Sequence, residues 1–205
     1  MTQKPQDFVA FKEVLADVLE HIHSMSNCQS VAIRLTNNGD YPYIVNKGFP
    51  EFFIQKESSL CAKDNSGDRI LDDQGDPLLE CMCGNVIQGR FDPKLDYFTE
   101  KGTFWTNSTS RLLETTTEKE RLGRTRNMCN YSGYESVALI PLRNGGKTLG
   151  LIQMNDPREN MFTAKAIQKY EALAENVGAV VLHVLEIQQK SDAISEMANS
   201  GKATK

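Results

Sequence analysis

The chain has 205 residues, with 23 Lys and Arg against 27 Asp and Glu and a formal net charge of −4, which excludes the strongly basic proteins that coat nucleic acid. Hydrophobic residues make up 40% and charged residues 24%, which excludes disordered and fibrous chains. No run reaches the roughly 18 apolar residues of a bilayer-spanning helix, and the start lacks the apolar core of a signal peptide, so we predict a cytoplasmic protein without nucleic-acid or membrane partners.

The first predicted element is an amphipathic helix over residues 8–22. Its apolar residues recur at steps of three and four, which places them on one stripe. They are Phe8, Phe11, Leu15, Val18, Leu19 and Ile22. A hairpin follows, with strands at 30–36 and 41–46, because the intervening Asn-Asn-Gly-Asp is strong turn chemistry.

The stretch from 47 to 102 is a long, irregular insert. Glycine, proline and aspartate interrupt it throughout, and its one periodic segment predicts a short helix over 78–87. Cys61, Cys81 and Cys83 lie in this insert. Because long connections in compact domains are often functional, we expect the insert to carry part of a functional site.

The second half of the chain predicts the rest of an antiparallel sheet. A short strand at 103–106 precedes a polar helix at 109–121. The clearest hairpin follows, with strands at 134–142 and 147–155 around Asn-Gly-Gly. A long last helix, with apolar residues at helical spacing, begins after Thr163.

This order of elements indicates one α+β domain. Because strands do not alternate singly with helices, we predict a central antiparallel sheet flanked by helices, with long N- and C-terminal helices, rather than a doubly wound parallel sheet. Residues 1–205 are assigned to a single domain, with a core at about 8–190 and a polar tail at 191–205. The first and last helices are expected to pack on one face of the sheet.

The last third of the chain is similar to a GAF domain. The similarity is carried by Gly133-Tyr-Glu-Ser-Val-Ala-Leu-Ile-Pro-Leu142, by Leu149-Gly-Leu-Ile-Gln-Met-Asn155, and by Phe162-Thr163 before the last helix. With the leading helix and the first hairpin, the resemblance covers about residues 8–190. It implies a GAF-like, PAS-related fold that holds a small ligand, such as a cyclic nucleotide, tetrapyrrole, haem or iron centre, on one face of the sheet.

Three further segments resemble a cysteine-bearing GAF subgroup that occurs beside PAS modules and histidine-kinase transmitters in bacteria and archaea. They are Cys81-Met-Cys-Gly-Asn-Val-Ile-Gln-Gly89, Phe104-Trp-Thr-Asn-Ser-Thr109 and Arg126-Asn-Met-Cys-Asn130. This resemblance implies a role in a prokaryotic signal-transduction system, with a histidine kinase or another signalling output module as partner.

Four cysteines form the sharpest candidate site. Cys61, Cys81, Cys83 and Cys129 are predicted metal ligands, because four thiolates suit zinc or an iron–sulfur centre, and cysteine also ligates haem. On a regular helix Cys81 and Cys83 diverge by about 200°, so they converge on one metal only where the segment is irregular. A redox site and buried thiols packed as small hydrophobes are the alternatives.

Five other residues, all in segments that carry the resemblance, are candidate cofactor contacts. They are Trp105, Arg126, Asn127, Asn130 and Tyr134. Arg126 ends a basic run with Arg121 and Arg124, which suits an anionic ligand such as a phosphate, a carboxylate or a haem propionate. The alternative for this run is a charged helix end.

No catalytic motif is present, so we predict a sensory domain rather than an enzyme. A small ligand or a redox event at the cysteine-bearing face would shift the terminal helices. The alternatives are a GAF-like, cysteine-dependent methionine sulfoxide reductase and a ligand-free dimerisation domain. Because the last helix carries more apolar surface than one sheet face covers, we also predict a parallel homodimer through residues 8–22 and 173–190.

Overall fold

A five-stranded antiparallel sheet forms the centre of the fold. In a computed structural model, which describes residues 4–200, the strands are β1 (Ser30–Leu35), β2 (Tyr43–Lys47), β3 (Phe104–Thr106), β4 (Ser136–Asn144) and β5 (Lys147–Asp156). Their order across the sheet is β2-β1-β5-β4-β3, and every neighbouring pair is antiparallel. The predicted α+β class, both hairpins and the short strand are confirmed.

The described residues also form six helices. They are α1 (Lys4–Ser26), α2 (Glu51–Glu57), α3 (Cys81–Ile87), α4 (Thr109–Thr115), α5 (Met128–Tyr131) and α6 (Ala164–Ser200). Helices α2 and α5 are absent from the sequence prediction. Helix α4 is shorter than the predicted 109–121, because Thr116 adopts an extended conformation with φ −134° and ψ 149°. Helix α6 continues to Ser200, through most of the predicted polar tail.

The two terminal helices cover the same face of the sheet, here called the helical face. Helix α1 packs on β1 and β2, and α6 packs on β4 and β5. Alternating residues of a strand point to opposite faces, so Ala138 and Ile140 of β4 join the apolar core under these helices. No helix within residues 4–200 is long and apolar enough to cross a bilayer.

The insert and helices α2 to α5 cover the opposite face, here called the insert face. Val137 and Leu139 of β4 belong to the second apolar core on this side. The aspartate-rich part of the insert forms tight turns: the Oδ1 of Asp72 accepts hydrogen bonds from the backbone N–H groups of Gln74 and Asp76 at 2.9 and 3.0 Å. The candidate site lies on the insert face.

Candidate functional site

A cavity of about 50 Å³ lies between the insert face and helices α3, α4 and α5. Three thiols line it, those of Cys81, Cys83 and Cys129. Most of the remaining wall is apolar and includes Met82, Phe104, Leu112, Met128, Val137 and Leu139. The cavity is therefore an apolar space with sulfur atoms on its wall.

The irregular start of α3 explains how two cysteines separated by one residue reach the same cavity. Cys81 has a φ of 67°, in the left-handed region that side chains rarely adopt. Its backbone N–H donates to the carbonyl oxygen of Arg124 at 3.0 Å. Cys81 therefore does not continue the regular helix, and its side chain need not diverge from that of Cys83 by about 200°.

Burial controls the protonation of two of these thiols. Burial raises the pKa of Cys83 to about 12, although the nearby charge of Arg34 opposes the rise. Burial also raises the pKa of Cys129 well above its usual range. Both groups are therefore neutral thiols at neutral pH, whereas the nucleophile and metal ligand of a cysteine is the thiolate.

The fourth predicted ligand, Cys61, lies elsewhere. Its thiol donates a long hydrogen bond of 3.9 Å to the carbonyl oxygen of Gly39, and it lines a separate polar groove with Glu80, Arg124 and Arg126. Across residues 4–200, no three or more His, Cys, Asp or Glu side chains are grouped so that they could hold a metal ion. The structure thus brings together three of the four predicted thiols.

Beside the cavity, Arg34 is a fully buried arginine, and no carboxylate among the described residues accepts a hydrogen bond from it. Its guanidinium donates to the carbonyl oxygens of Tyr41 at 2.8 Å and Ser58 at 3.2 Å, and also to that of Glu57. It lies 3.6 Å from the centroid of the Tyr43 ring, in a cation–π contact. Arg34 therefore ties the insert to strand β1.

The carboxylate of Glu57 supplies a negative charge that interacts with Arg34. It is buried and accepts from Arg126 at 3.1 Å. Burial raises the pKa of Glu57, and the charges of Arg126 and Arg34 oppose that rise. Two arginines thus share one buried carboxylate, and Glu80, whose charge acts on both Glu57 and Arg126, adds a second negative group to this cluster.

A chain of polar side chains joins this charged group to the cavity. The hydroxyl of Tyr43 donates to Oε1 of Gln153 at 3.0 Å. The Nε2 of Gln153 donates to Asn155 at 3.1 Å and more weakly to the sulfur of Cys129 at 3.8 Å. Strand β5 therefore contributes polar groups, as well as apolar packing, to the insert face.

Asn85 of α3 holds the loop that closes the cavity. This residue is buried; its Nδ2 donates to the carbonyl oxygen of Arg121 at 2.7 Å, and its Oδ1 accepts from Arg90 at 2.9 Å. The loop contains left-handed residues at Leu122 and Asn127, with φ values of 63° and 58°. Such conformations persist where surrounding contacts fix them, and the Asn85 bond is one such contact.

Of the five predicted cofactor contacts, Asn127 and Asn130 line the cavity and the other three do not. Asn130 donates to the hydroxyls of Thr109 and Ser110 at 3.1 and 2.9 Å. It therefore links α5 to the start of α4, at the mouth of the cavity.

Trp105, Tyr134 and Arg126 have other surroundings. Trp105 packs against the core of the helical face, opposite to Phe104. Tyr134 is buried on the insert face, with its hydroxyl 2.9 Å from that of Ser30 and its ring edge-on to Phe53. Arg126 pairs with Glu57. Arg34 and Gln153 were missed, although each is a polar residue inside an apolar strand, which is a detectable signal.

Comparison with known proteins identifies the family. A model of the GAF domain matches residues 11–181. No curated protein matches. Several solved structures share the fold at low sequence identity, and a likeness of that kind shows the fold alone.

One such structure is a domain described as a two-component sensor histidine kinase protein from Sinorhizobium meliloti 1021; it is 13% identical with a TM-score of 0.56, covering 87% of this chain and 94% of that one. A type II free methionine-R-sulfoxide reductase from Thermoplasma acidophilum is 8% identical with a TM-score of 0.56, covering 87% and 96%. The GAF domain of an Acinetobacter phosphoenolpyruvate-protein phosphotransferase is 13% identical with a TM-score of 0.56, covering 92% and 99%.

Proposed function

The chain belongs to the GAF domain family, and from that premise we propose that it is a sensory module of a prokaryotic signal-transduction system. In this proposal a small ligand occupies the thiol-lined cavity on the insert face. The terminal helices on the helical face transmit its presence to an output module such as a histidine kinase.

The observation that carries the proposal is that β4 forms a wall shared by the two faces. Val137 and Leu139 line the cavity, while Ala138 and Ile140, between and beside them, pack under the terminal helices. Protein interiors are close-packed, so a change on one side of a strand displaces side chains on the other. Ligand binding therefore has a direct mechanical route to α6.

The outer surface of the terminal helices supports a homodimer through residues 8–22 and 173–190. Val14 of α1 and both Val180 and Ile187 of α6 are large apolar residues that are about half exposed. Val180, Val184 and Ile187 recur at steps of four and three, which places them along one stripe of α6. An isologous dimer would bury this stripe.

Light scattering at micromolar concentration tests the dimer. We expect a dimer mass for the wild-type chain and a monomer for Val180→Glu, because a buried unpaired carboxylate opposes association. Gln168→Glu is the matched control: it adds the same charge at an exposed position of α6, before the proposed interface at 173–190. A wild-type monomer, or a Val180→Glu variant that stays dimeric, would contradict this interface.

A second candidate function is the reduction of methionine sulfoxide. The specific observation in its favour is that three thiols line one cavity, as expected for an enzyme that works through cysteines. The raised pKa of Cys83 and Cys129 counts against it, because the attacking group is a thiolate. Turnover of free methionine-R-sulfoxide with a thiol reductant, abolished by Cys129→Ser, would select this function over sensing.

We leave zinc, iron–sulfur and haem binding out of the proposed function. Within the part of the chain that the structure describes, no three or more His, Cys, Asp or Glu side chains are grouped so that they could hold a metal ion, and Cys61, the fourth predicted ligand, does not line the cavity. The absorbance spectrum and metal content of anaerobically purified protein test this choice. A Soret band or bound zinc or iron would reverse it.

A further inference from the structure

Two residues that line the cavity each carry a buried polar atom without a hydrogen-bond partner among the residues that the structure describes. The atoms are Nε of Arg121 and Oγ1 of Thr125. Arg121 is 5% exposed and Thr125 is 7% exposed. Buried polar groups are nearly always paired in proteins, so two unpaired groups on residues of one cavity wall indicate a missing acceptor.

The rest of Arg121 is firmly held. One terminal nitrogen, Nη1, donates to the carbonyl oxygen and, at 2.8 Å, to the hydroxyl of Thr116. Its own carbonyl oxygen accepts from Asn85. Among the residues that the structure describes, no salt bridge joins Arg121 to a carboxylate. The guanidinium is thus fixed beside the cavity without a bonded carboxylate among the described residues, and the carboxylate that its charge acts on, Glu120, is exposed.

The remaining wall defines the rest of the ligand. Side chains such as Leu112, Met128 and Leu139 are apolar, and the thiols of Cys83 and Cys129 are neutral. A charged oxygen acceptor would suit Arg121 and Thr125, and an alkyl group would suit this wall. Arg121 is the single cation among the lining residues, so a second negative group on the ligand would be left unpaired.

The size of the cavity limits the alkyl group. One water molecule needs about 10–15 Å³ of such cavity volume, so a space of about 50 Å³ holds about three to five heavy atoms. The mouth is formed by half-buried side chains, including Leu112, Leu113 and Met128, which can yield to a slightly longer ligand.

We propose that the cavity binds a short-chain aliphatic monocarboxylate of about two to three carbons, with its carboxylate on Arg121 Nε and Thr125 Oγ1. This assignment rests on the proposed sensory function and names the ligand class of its site. The alkyl end lies against the apolar wall beside the thiols. No bond to sulfur is formed or broken.

Calorimetric titration of the full chain with sodium propionate tests the assignment. Hydrogen bonds to charged groups are the stronger ones, so we expect Thr125→Val to weaken binding about ten-fold and Arg121→Gln by about thirty-fold or more. Arg124→Gln is the matched control, since that arginine is 75% exposed and absent from the wall. It should bind propionate as the wild type does.

Ligand analogues keep the test decisive even where Arg121→Gln fails to fold. Propionamide, which has the same shape without the charge, should bind the wild type at least about ten-fold more weakly than propionate. Succinate should also bind more weakly, because its second carboxylate has no cation. Undetectable propionate binding at about 100 mM, or equal binding by the wild type and Thr125→Val, overturns the assignment.

The outcome for the ligand is separable from the outcome for the sensory function. Hydrogen exchange in α1 and α6 is measured with and without propionate. Binding with the predicted variant pattern but unchanged exchange in both helices supports the ligand and contradicts the sensory function. If the wild-type chain binds no propionate while Val180→Glu converts its dimer to a monomer, the ligand assignment alone is overturned and the sensory function stands.

Discussion

The two faces of one sheet differ in chemistry more than in burial. The helical face packs apolar side chains, such as Ile140 and Ile152, against two long helices. The insert face buries an equally continuous apolar cluster but adds Arg34, Asn85 and other polar groups within it.

This difference separates stability from function. Apolar packing on the helical face needs no special geometry, although Oγ1 of Thr103, which lies beside Ile140 on that face, is buried without a hydrogen-bond partner among the described residues. The insert face contains backbone in left-handed conformations at Cys81, Leu122 and Asn127, a cavity and unpaired polar atoms. Local violations of the folding rules are concentrated at functional sites, so the insert face is where ligand chemistry is expected.

The largest effect should come from Arg34→Met. The substitution keeps an apolar side chain but removes the guanidinium, which donates hydrogen bonds to three carbonyl oxygens and so holds the insert on β1. Each buried group left unsatisfied costs about 1–3 kcal/mol, so we expect a loss of about 4 kcal/mol in the free energy of unfolding. Denaturant titration followed by circular dichroism measures it.

Arg69→Met is the control for this substitution. Arg69 also donates to a carbonyl oxygen, that of Asn38, at 2.8 Å, but it is exposed. Water replaces its bond, so the loss should stay within about 0.5 kcal/mol. Similar losses for the two variants would show that the polar groups of the insert face contribute no more than surface groups.

The second prediction compares adjacent residues of β4. Ile140 is buried under the helices and Leu139 faces the cavity. We expect Ile140→Ala to lower the free energy of unfolding by about 3.5 kcal/mol and Leu139→Ala by about 2 kcal/mol, because a side chain beside an existing void has fewer contacts to lose. An equal loss in the two variants would indicate that the cavity is closed in solution.

The two faces also differ in how well the sequence predicts their elements. The strands and α6 follow from apolar periodicity and Asn-Gly turns, which are local patterns. Helix α2 was missed because it is seven residues long and buries one of its two phenylalanines, Phe53, while Phe52 stays exposed. Helix α4 is shorter than predicted because Thr116, which follows it, adopts an extended backbone, a choice that the charge pattern does not reveal.

The candidate site was predicted in part for the same reason. The sequence predicts that Cys81 and Cys83 converge only where their segment is irregular, and the φ of Cys81 provides that irregularity. Arg121 and Thr125 reach the cavity through a loop fixed by Asn85, a contact between residues 36 positions apart. A local pattern carries no signal for such a contact, so their role depends on the tertiary structure.

The third prediction concerns alkaline pH. The ordinary pKa of a thiol is 9.0, and burial raises that of Cys83 to about 12. Between these values the unfolded chain loses the proton while the folded chain keeps it, so stability falls as pH rises. We expect this thiol to lower the free energy of unfolding by about 2 kcal/mol between neutral pH and about pH 10.5.

Comparison with Cys83→Ala isolates that contribution. The difference in the free energy of unfolding between the wild type and this variant should change by about 2 kcal/mol between neutral pH and about pH 10.5. Cys28→Ala, on the helical face, should behave alike, since burial raises the pKa of Cys28 to about 11. Parallel pH curves for the wild type and Cys83→Ala would mean that water reaches the thiol in the folded chain.

The smallest effect compares the helix caps of the two faces. Ser108 caps α4 by accepting from the backbone N–H of Arg111 at 3.3 Å, and Thr163 caps α6 by accepting from that of Ala166 at 3.2 Å. Replacing either residue by alanine should cost about 1 kcal/mol.

The consequences should differ, because α4 is a seven-residue helix at the cavity mouth and α6 is anchored along the sheet. In Ser108→Ala the whole of α4 should exchange its amide hydrogens about five-fold faster, since about 1 kcal/mol corresponds to that factor. In Thr163→Ala the increase should be confined to the first turn of α6. Faster exchange throughout α6, or none in α4, would contradict the view that the insert face opens locally while the helical face holds the fold.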